Sequence, residues 1–451
     1  MRLFHCTHCG SLVFFDSSEC LGCGSTLAFD PARLEMVAMQ PAADLPGVWQ
    51  RLNTQAAAPT ETTAVSLDEA PLYQLCSNRE AHNACNFSVP YVPVENDEPV
   101  TPHLCVSCQQ TRVLPDLSDV NNVRRWTDIE TAKRRLYYSL AQLNIAQIEG
   151  EPGPVYEFKA DTPEAPVMTG HDEGVITLNV AEADDDERTR RRVELGEPYR
   201  TLLGHLRHES GHYFWDVLVL RGGHVDAYRA VFGDERADYG EALKAHYASA
   251  PHTGWQNEFI SDYATSHPWE DWAETWAHYL HMVDLLETAQ SYRTEVSIPS
   301  PQGEPRYSMV NPFGEPAPDF DAMLAAWVPL TLLLNSLNRS LGQLDAYPFA
   351  MGAGVKEKLR FVHALVNRQL TPVPWQPEQA LPVDAAPVVG DASLPVDAPA
   401  AGDVIDVPAQ TAPTEPVPMN DGSLNAPPLD APADAPLQPM AEQLPEPELQ
   451  K

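Results

Sequence analysis

Apolar residues recur at helical spacing in five stretches of the chain, and two short stretches are rich in β-branched residues. Ile129, Ala132, Leu136, Leu140 and Leu143 fall on one face of a helix over 128–143. The segments 155–159 (VYEFK) and 174–180 (GVITLNV) read as strands. Pro198 precedes a helix over 199–220 that turns Leu202, Leu203 and Leu206 inward and leaves Arg200 and Arg207 wet. Further helices are expected over 268–289, 320–341 and 355–368. The region 116–372 therefore reads as one α+β domain, mostly helical. The apolar run 323–334 is too short to span a bilayer and contains Pro329, so a buried core helix is expected there and no membrane association.

The flanking regions follow other patterns. Cys6-x2-Cys9 and Cys20-x2-Cys23 form two knuckles within 1–50, the spacing of a structural zinc ribbon. A polar, Ala- and Thr-rich linker occupies 51–70. Cys76, Cys85, Cys105 and Cys108 make a second four-cysteine set within 71–115, where His82 or His103 is an alternative to one thiolate. From 373 to 451 the chain is Pro-, Ala- and Asp-rich. From Pro374 on, seventeen prolines and thirteen acidic residues against one Lys predict a disordered tail. Eight cysteines in two metal-type sets, and no apolar run behind the N-terminal Arg, predict a cytoplasmic protein. The net charge of −35 opposes long-range attraction to nucleic acid or anionic lipid.

The candidate chemistry lies in the 199–220 helix. His208-Glu209-Ser210-Gly211-His212 is an H-E-x-x-H motif. Residues four apart stack on one helical face, so both imidazoles can reach one Zn²⁺. Glu209 is then placed as the general base toward a water that the metal acidifies. A catalytic zinc needs a third protein ligand and an open position. The segment 261–281 offers Glu270 and Glu274, one turn apart. Glu270 is taken as the ligand and Glu274 as the partner that orients a ligand His, with the reverse assignment open. His278 and His281 are weaker alternatives, and Asp216 is read first as a surface or capping residue. The segment 232–243 (FGDERADYGEAL) is read as caps and solvated charge, with a role near the cleft left open.

HESGH followed by YATSHPWEDWAETWAHYL resembles the gluzincin metallopeptidases, especially the lethal-factor-like branch. The resemblance implies that Tyr263, seven residues before Glu270, assists the oxyanion of the tetrahedral intermediate. The layout over roughly 1–370 is also similar to a bacterial family of zinc-binding metallopeptidases with an N-terminal zinc ribbon. Its marks here are CTHCG, the CSN…LCVSC block, PDLSD, FGDERADYGEAL and HPWEDWAETWAHYLH.

The expectation is a zinc-dependent peptidase acting on a peptide or protein, with one catalytic and one or two structural zincs. Metal would sit on His208, His212 and Glu270, with Glu209, Tyr263 and Glu274 supporting catalysis. Substrate would pair with 174–180 as a sheet edge. The alternative is a protein- or nucleic-acid-binding zinc-ribbon module on an inactive zincin scaffold.

Overall fold

The computed structural model describes residues 1–52, 71–93, 103–162, 165–195, 201–249, 253–299, 301, 303–349 and 351–372. Nearly all of the expected linker, the tail from 373, and Arg200 lie outside the described residues.

The N-terminal part is built from strands. A hairpin, β1 (Phe4–His5) and β2 (Leu12–Val13), precedes an antiparallel sheet. Its strands are β3 (Thr26–Asp30), β4 (Glu35–Pro41), β5 (Trp49–Arg51), β6 (Leu72–Leu75) and β7 (Ser88–Pro90), in that spatial order. Helix α1 (Ser77–His82) joins the last two. The cysteine segments 1–50 and 71–115, read from sequence as two modules, share this one sheet, because β5 pairs β6 with Trp49 opposite Tyr73. The cause lies in the core. Phe4, Phe15 and Phe29 from the first segment and Phe87 from the second pack in one cluster, with the Phe15 and Phe29 centroids 4.9 Å apart and Phe29 and Phe87 4.8 Å apart. Neither short segment carries enough apolar surface for a core of its own.

Strand β8 (Thr111–Val113) and helix α2 (Val120–Gln142) lead into the second part. Helix α2 begins eight residues before the expected start, because Asp119 caps it by accepting from the Asn121 amide. Ile129, Ala132, Leu136 and Leu140 are buried, as their spacing predicts. Strands β9 (Val155–Lys159), β10 (Gly170–Asp172) and β11 (Val175–Asn179) complete a sheet of order β10-β11-β9-β8.

In that sheet β11 is parallel to β9 and antiparallel to β10. The 174–180 segment is thus an interior strand rather than the expected edge, and the edge is β10. Glu173 and Gly174 both have positive φ, 45° and 83°, and make a two-residue hairpin turn that folds 170–172 back over β11.

The helices follow as α3 (Asp185–Leu195), α4 (Leu202–Phe214), α5 (Val225–Phe232), α6 (Tyr239–Ala248) and α7 (Pro268–Ser291). After the hairpin β12 (Glu295–Ser297) and β13 (Arg306–Ser308) come α8 (Phe320–Ser340) and α9 (Ala353–Val366). Helix α7 is central and packs against α4, α5, α8 and α9. Trp126, Trp215, Trp272, Trp276 and Trp327 are buried in this core. Tyr137 and Tyr138 of α2 belong instead to the aromatic cluster of the N-terminal part, and Tyr138 donates to Glu287 of α7 at 2.5 Å. The two parts therefore share packing through α2.

Two expectations need correction. Arg207 is not wet: it is 2 % exposed, on the face of α4 that meets α7, where Asp284 pairs with it and His281 Nδ1 accepts from it at 2.5 Å. The apolar run 323–334 is core only in part, since Met323, Trp327 and Leu330 are buried while Val328, Leu332 and Leu333 are exposed.

Candidate metal centre

Two helices build the site. Helix α4 is capped by Thr201, whose hydroxyl accepts from the Gly204 amide at 2.9 Å, and it continues into a π-helical turn over Trp215–Leu220. Helix α7 starts at Pro268 behind the cap His267, with Pro at the position its missing N–H suits. His267 Nδ1 accepts from the Trp269 amide, so Nε2 carries the proton donated to Ala237 O at 3.1 Å.

Gly211, inside the motif, lets the two helices approach. A Cβ there would stand 3.0 Å from Ala273 Cα and 3.1 Å from Trp276 Cδ1. Trp272 Nε1 donates to Gly211 O at 2.8 Å, and Trp276 Nε1 donates to Ser210 Oγ at 3.2 Å. These bonds set the register of α4 against α7.

That register sets Glu270 against the two histidines. Ligand atoms of His208, His212 and Glu270 all lie within 4.8 Å of one another. His208 Nε2 is 3.0 Å from Glu270 Oε2, and His212 Nε2 is 3.5 Å from Glu270 Oε1. Glu274 lies on the far side of His208, accepting from Nδ1 at 2.7 Å through Oε1 and from Ser261 Oγ at 2.6 Å through Oε2. Burial alone would push Glu274 up, yet the His208 ring holds it down at about 2. Burial disfavours charge on His208, but Glu270 and Glu274 together raise its pKa well above the usual range. Burial drives His212 the other way.

The donor set fits Zn²⁺. Neither ring nitrogen of His212 has a hydrogen-bond partner among the described residues, nor does Glu270 Oε2, and all three atoms are buried. Buried polar atoms without partners are costly. A cation between two imidazoles and a carboxylate removes that cost for His212 Nε2 and Glu270 Oε2, and N₂O is a familiar catalytic zinc set. Glu209, 7 % exposed, flanks the cluster from the same turn of α4 as His208.

Three residues that sequence reasoning did not assign here also gather at the cluster. Tyr239, the first residue of α6, donates to Glu270 Oε1 at 2.8 Å. It comes from the FGDERADYGEAL segment. The carboxylates of that segment do cap and pair, as Asp238 accepts from the Glu241 amide and Glu235 pairs with Arg229. Trp269 covers His212, with ring centroids 4.0 Å apart. His171, on the edge strand β10, stacks on His212 at 6.0 Å. Its Nε2 accepts from the Gly174 amide at 3.0 Å, and burial lowers its pKa to about 4. A Trp beside Glu270 in sequence was a usable signal. Nothing local marked His171.

Tyr263 lies on a short 3₁₀ turn with its ring 6.0 Å from that of His208. The other candidates lie elsewhere. His278 Nδ1 bonds Tyr347 Oη at 2.8 Å, His281 faces Arg207, and the charged neighbours of Asp216 are Arg221 and Glu151.

Both cysteine sets converge. The sulfurs of Cys6, Cys9, Cys20 and Cys23 lie within 4.8 Å of one another, as do those of Cys76, Cys85, Cys105 and Cys108. In the first set, Gly10 (φ 77°) and Gly24 (φ 70°) close the two knuckles by donating to Cys6 O and Cys20 O. Cys9 and Cys23 are exposed, whereas the second set is wholly buried. His82 instead packs edge-on against Trp126, and the His103 carbonyl accepts from the Ser77 amide.

Residues 122–365 match the family model described as "Putative zinc-binding metallo-peptidase", and residues 3–119 match a zinc-ribbon domain. The chain is 36 % identical over 374 residues to an uncharacterized protein of Mycobacterium tuberculosis (strain ATCC 25618 / H37Rv), a match covering 81 % of this chain and 96 % of the relative. An uncharacterized protein of Mycobacterium bovis (strain ATCC BAA-935 / AF2122/97) matches to the same extent. No solved structure matches the chain.

Proposed function

We propose that this chain, which belongs to the zinc-binding metallo-peptidase family, hydrolyses peptide bonds at a centre formed by His208, His212 and Glu270. The observation that carries the proposal is the convergence of these three side chains, with His212 Nε2 and Glu270 Oε2 buried and lacking hydrogen bonds. Bound there, Zn²⁺ supplies Lewis acidity, polarising a carbonyl and acidifying a water.

The chain's own groups do the rest. Glu209 takes the proton of the attacking water and passes it to the leaving amine. Glu274 holds His208 with its proton on Nδ1, which frees the Nε2 lone pair to face the metal. Tyr239 fixes the carboxylate plane of Glu270. Tyr263, across the His208 ring, is placed to donate to the developing oxyanion. An extended peptide would pair with the side of β10 that no described strand occupies, beside His212.

Incubating the zinc-loaded protein and its Glu209→Gln variant with a peptide library tests this. Cleavage that the variant loses while keeping its zinc supports the proposal. No cleavage by wild-type protein with full zinc supports a binding role instead.

A further inference from the structure

Among the described residues, nothing covers one face of α8. Along the face that runs from Val328 to the helix end at Leu341, Val328, Leu332, Leu333, Leu337 and Leu341 are 41, 55, 38, 54 and 76 % exposed. The helix is closed on its other side by its own following loop. Asn335 exchanges two hydrogen bonds with the Tyr347 backbone, at 2.7 and 2.9 Å, and Asn338 reaches Leu344 O at 3.1 Å. Together these exposed aliphatics make a patch of about 500 Å², toward the upper end of what a monomer usually leaves bare.

Most of these exposed positions fall into rows four residues apart, with exposed Arg339 beside them. One row runs 328, 332, 336, 340, two branched aliphatics followed by Ser336 and Ser340, both exposed. Beside it runs 333, 337, 341, all Leu.

We propose that this face docks a second copy of the chain, α8 against α8 in antiparallel orientation about a two-fold axis near residue 334. Such an axis sets Val328 opposite Ser340 and Leu332 opposite Ser336, so along this row each bulky side chain meets a small one. A parallel pairing would set Leu332 on Leu332 and serine on serine, leaving a clash and a void. Two copies of the patch bury about 1,000 Å², the area that a specific interface should clear. A self-complementary patch is what a two-fold dimer demands.

Helix α8 is also, among the described residues, the one helix long and apolar enough to cross a membrane. The net charge of −35 opposes an anionic bilayer, and Arg339, ion-paired to Asp345, stands on the same exposed half. A second copy is therefore the favoured occupant.

Sedimentation velocity on the full chain, loaded with zinc, tests the proposal. A species of twice the 49.7 kDa chain mass is expected. The double variant Leu333→Glu/Leu337→Glu should sediment as a monomer with unchanged zinc content and circular dichroism. Should that variant fail to fold, Leu332→Glu/Ser336→Glu, on the paired row, should give the same dissociation. A monomeric wild type, or a dimer that survives the folded variants, overturns the proposal. So does a monomeric wild type that co-sediments with phosphatidylcholine vesicles, which would make the face a lipid surface.

Discussion

Glu274 lies 2.7 Å from His208 Nδ1, one helical turn beyond Glu270, which lies 3.0 Å from Nε2 of the same ring. One imidazole thus has a carboxylate of the same helix near each nitrogen, Glu274 hydrogen-bonded at Nδ1 and Glu270 beside Nε2 without a hydrogen bond. The outer carboxylate fixes the tautomer, and the inner one stands where the proposed metal would be held. Replacing Glu274 with Gln removes the charge that favours the Nδ1 proton. Zinc affinity should fall about 10–100-fold, the usual effect of losing such an outer partner. Competition with a chromophoric chelator reads this directly. Unchanged affinity would mean that Glu274 does not orient His208.

Tyr239 holds Glu270 from α6, through a hydroxyl that is 9 % exposed together with its ring. Tyr239→Phe keeps the ring and deletes one hydrogen bond to a carboxylate, a loss of roughly 1.5–3 kcal/mol. The expected result is weaker zinc binding with a folded chain. The measurement is the zinc dissociation constant beside the urea midpoint.

Gly211→Ala should act on the helix pair. The new Cβ would meet the Ala273 backbone at 3.0 Å, and the backbone of a central helix yields little. A cost of about 1–3 kcal/mol is expected for such overpacking. It should appear as a lower urea midpoint with an unchanged slope. Zinc binding should weaken with it, because Glu270 rides on the displaced helix.

The motif pair and its carboxylates were legible because helical period alone stacks His208 on His212 and Glu270 on Glu274. What the sequence hid arises between distant elements. Tyr239 comes from a segment whose acidic residues read as solvated charge, and only the packing of α6 beside α7 turns its ring inward. His171 reaches His212 because Glu173 and Gly174 turn the chain in two residues, and Glu-Gly is a weaker hairpin signal than Asn-Gly. That same turn made β10 the edge in place of 174–180. Arg207 read as wet because its partners Asp284 and His281 lie on another helix. The cysteine sets were legible as ligand groups, but their shared sheet was not, since strand pairing across a linker leaves no periodic mark.

The ribbon should be thermodynamically joined to the peptidase part. Cys85 lies in the buried sulfur group, and the same cluster includes Tyr137 and Tyr138 of α2. Cys85→Ser should therefore lose one zinc and lower the melting temperature of the whole chain in a single transition, since structural zinc contributes folding energy outright. Cys9→Ser, at an exposed sulfur, should destabilise less. Differential scanning calorimetry distinguishes one joint transition from two independent ones.

Zinc content of the purified chain and of Glu270→Ala, measured by mass spectrometry of the metal against protein concentration, bears most directly on the proposed centre. About three zincs per wild-type chain are expected from the three ligand groups. Glu270→Ala should hold about two, with the two cysteine sites filled and peptide cleavage gone. A Glu270→Ala protein that keeps the wild-type zinc count and cleaves peptides as before would contradict a metal held by His208, His212 and Glu270.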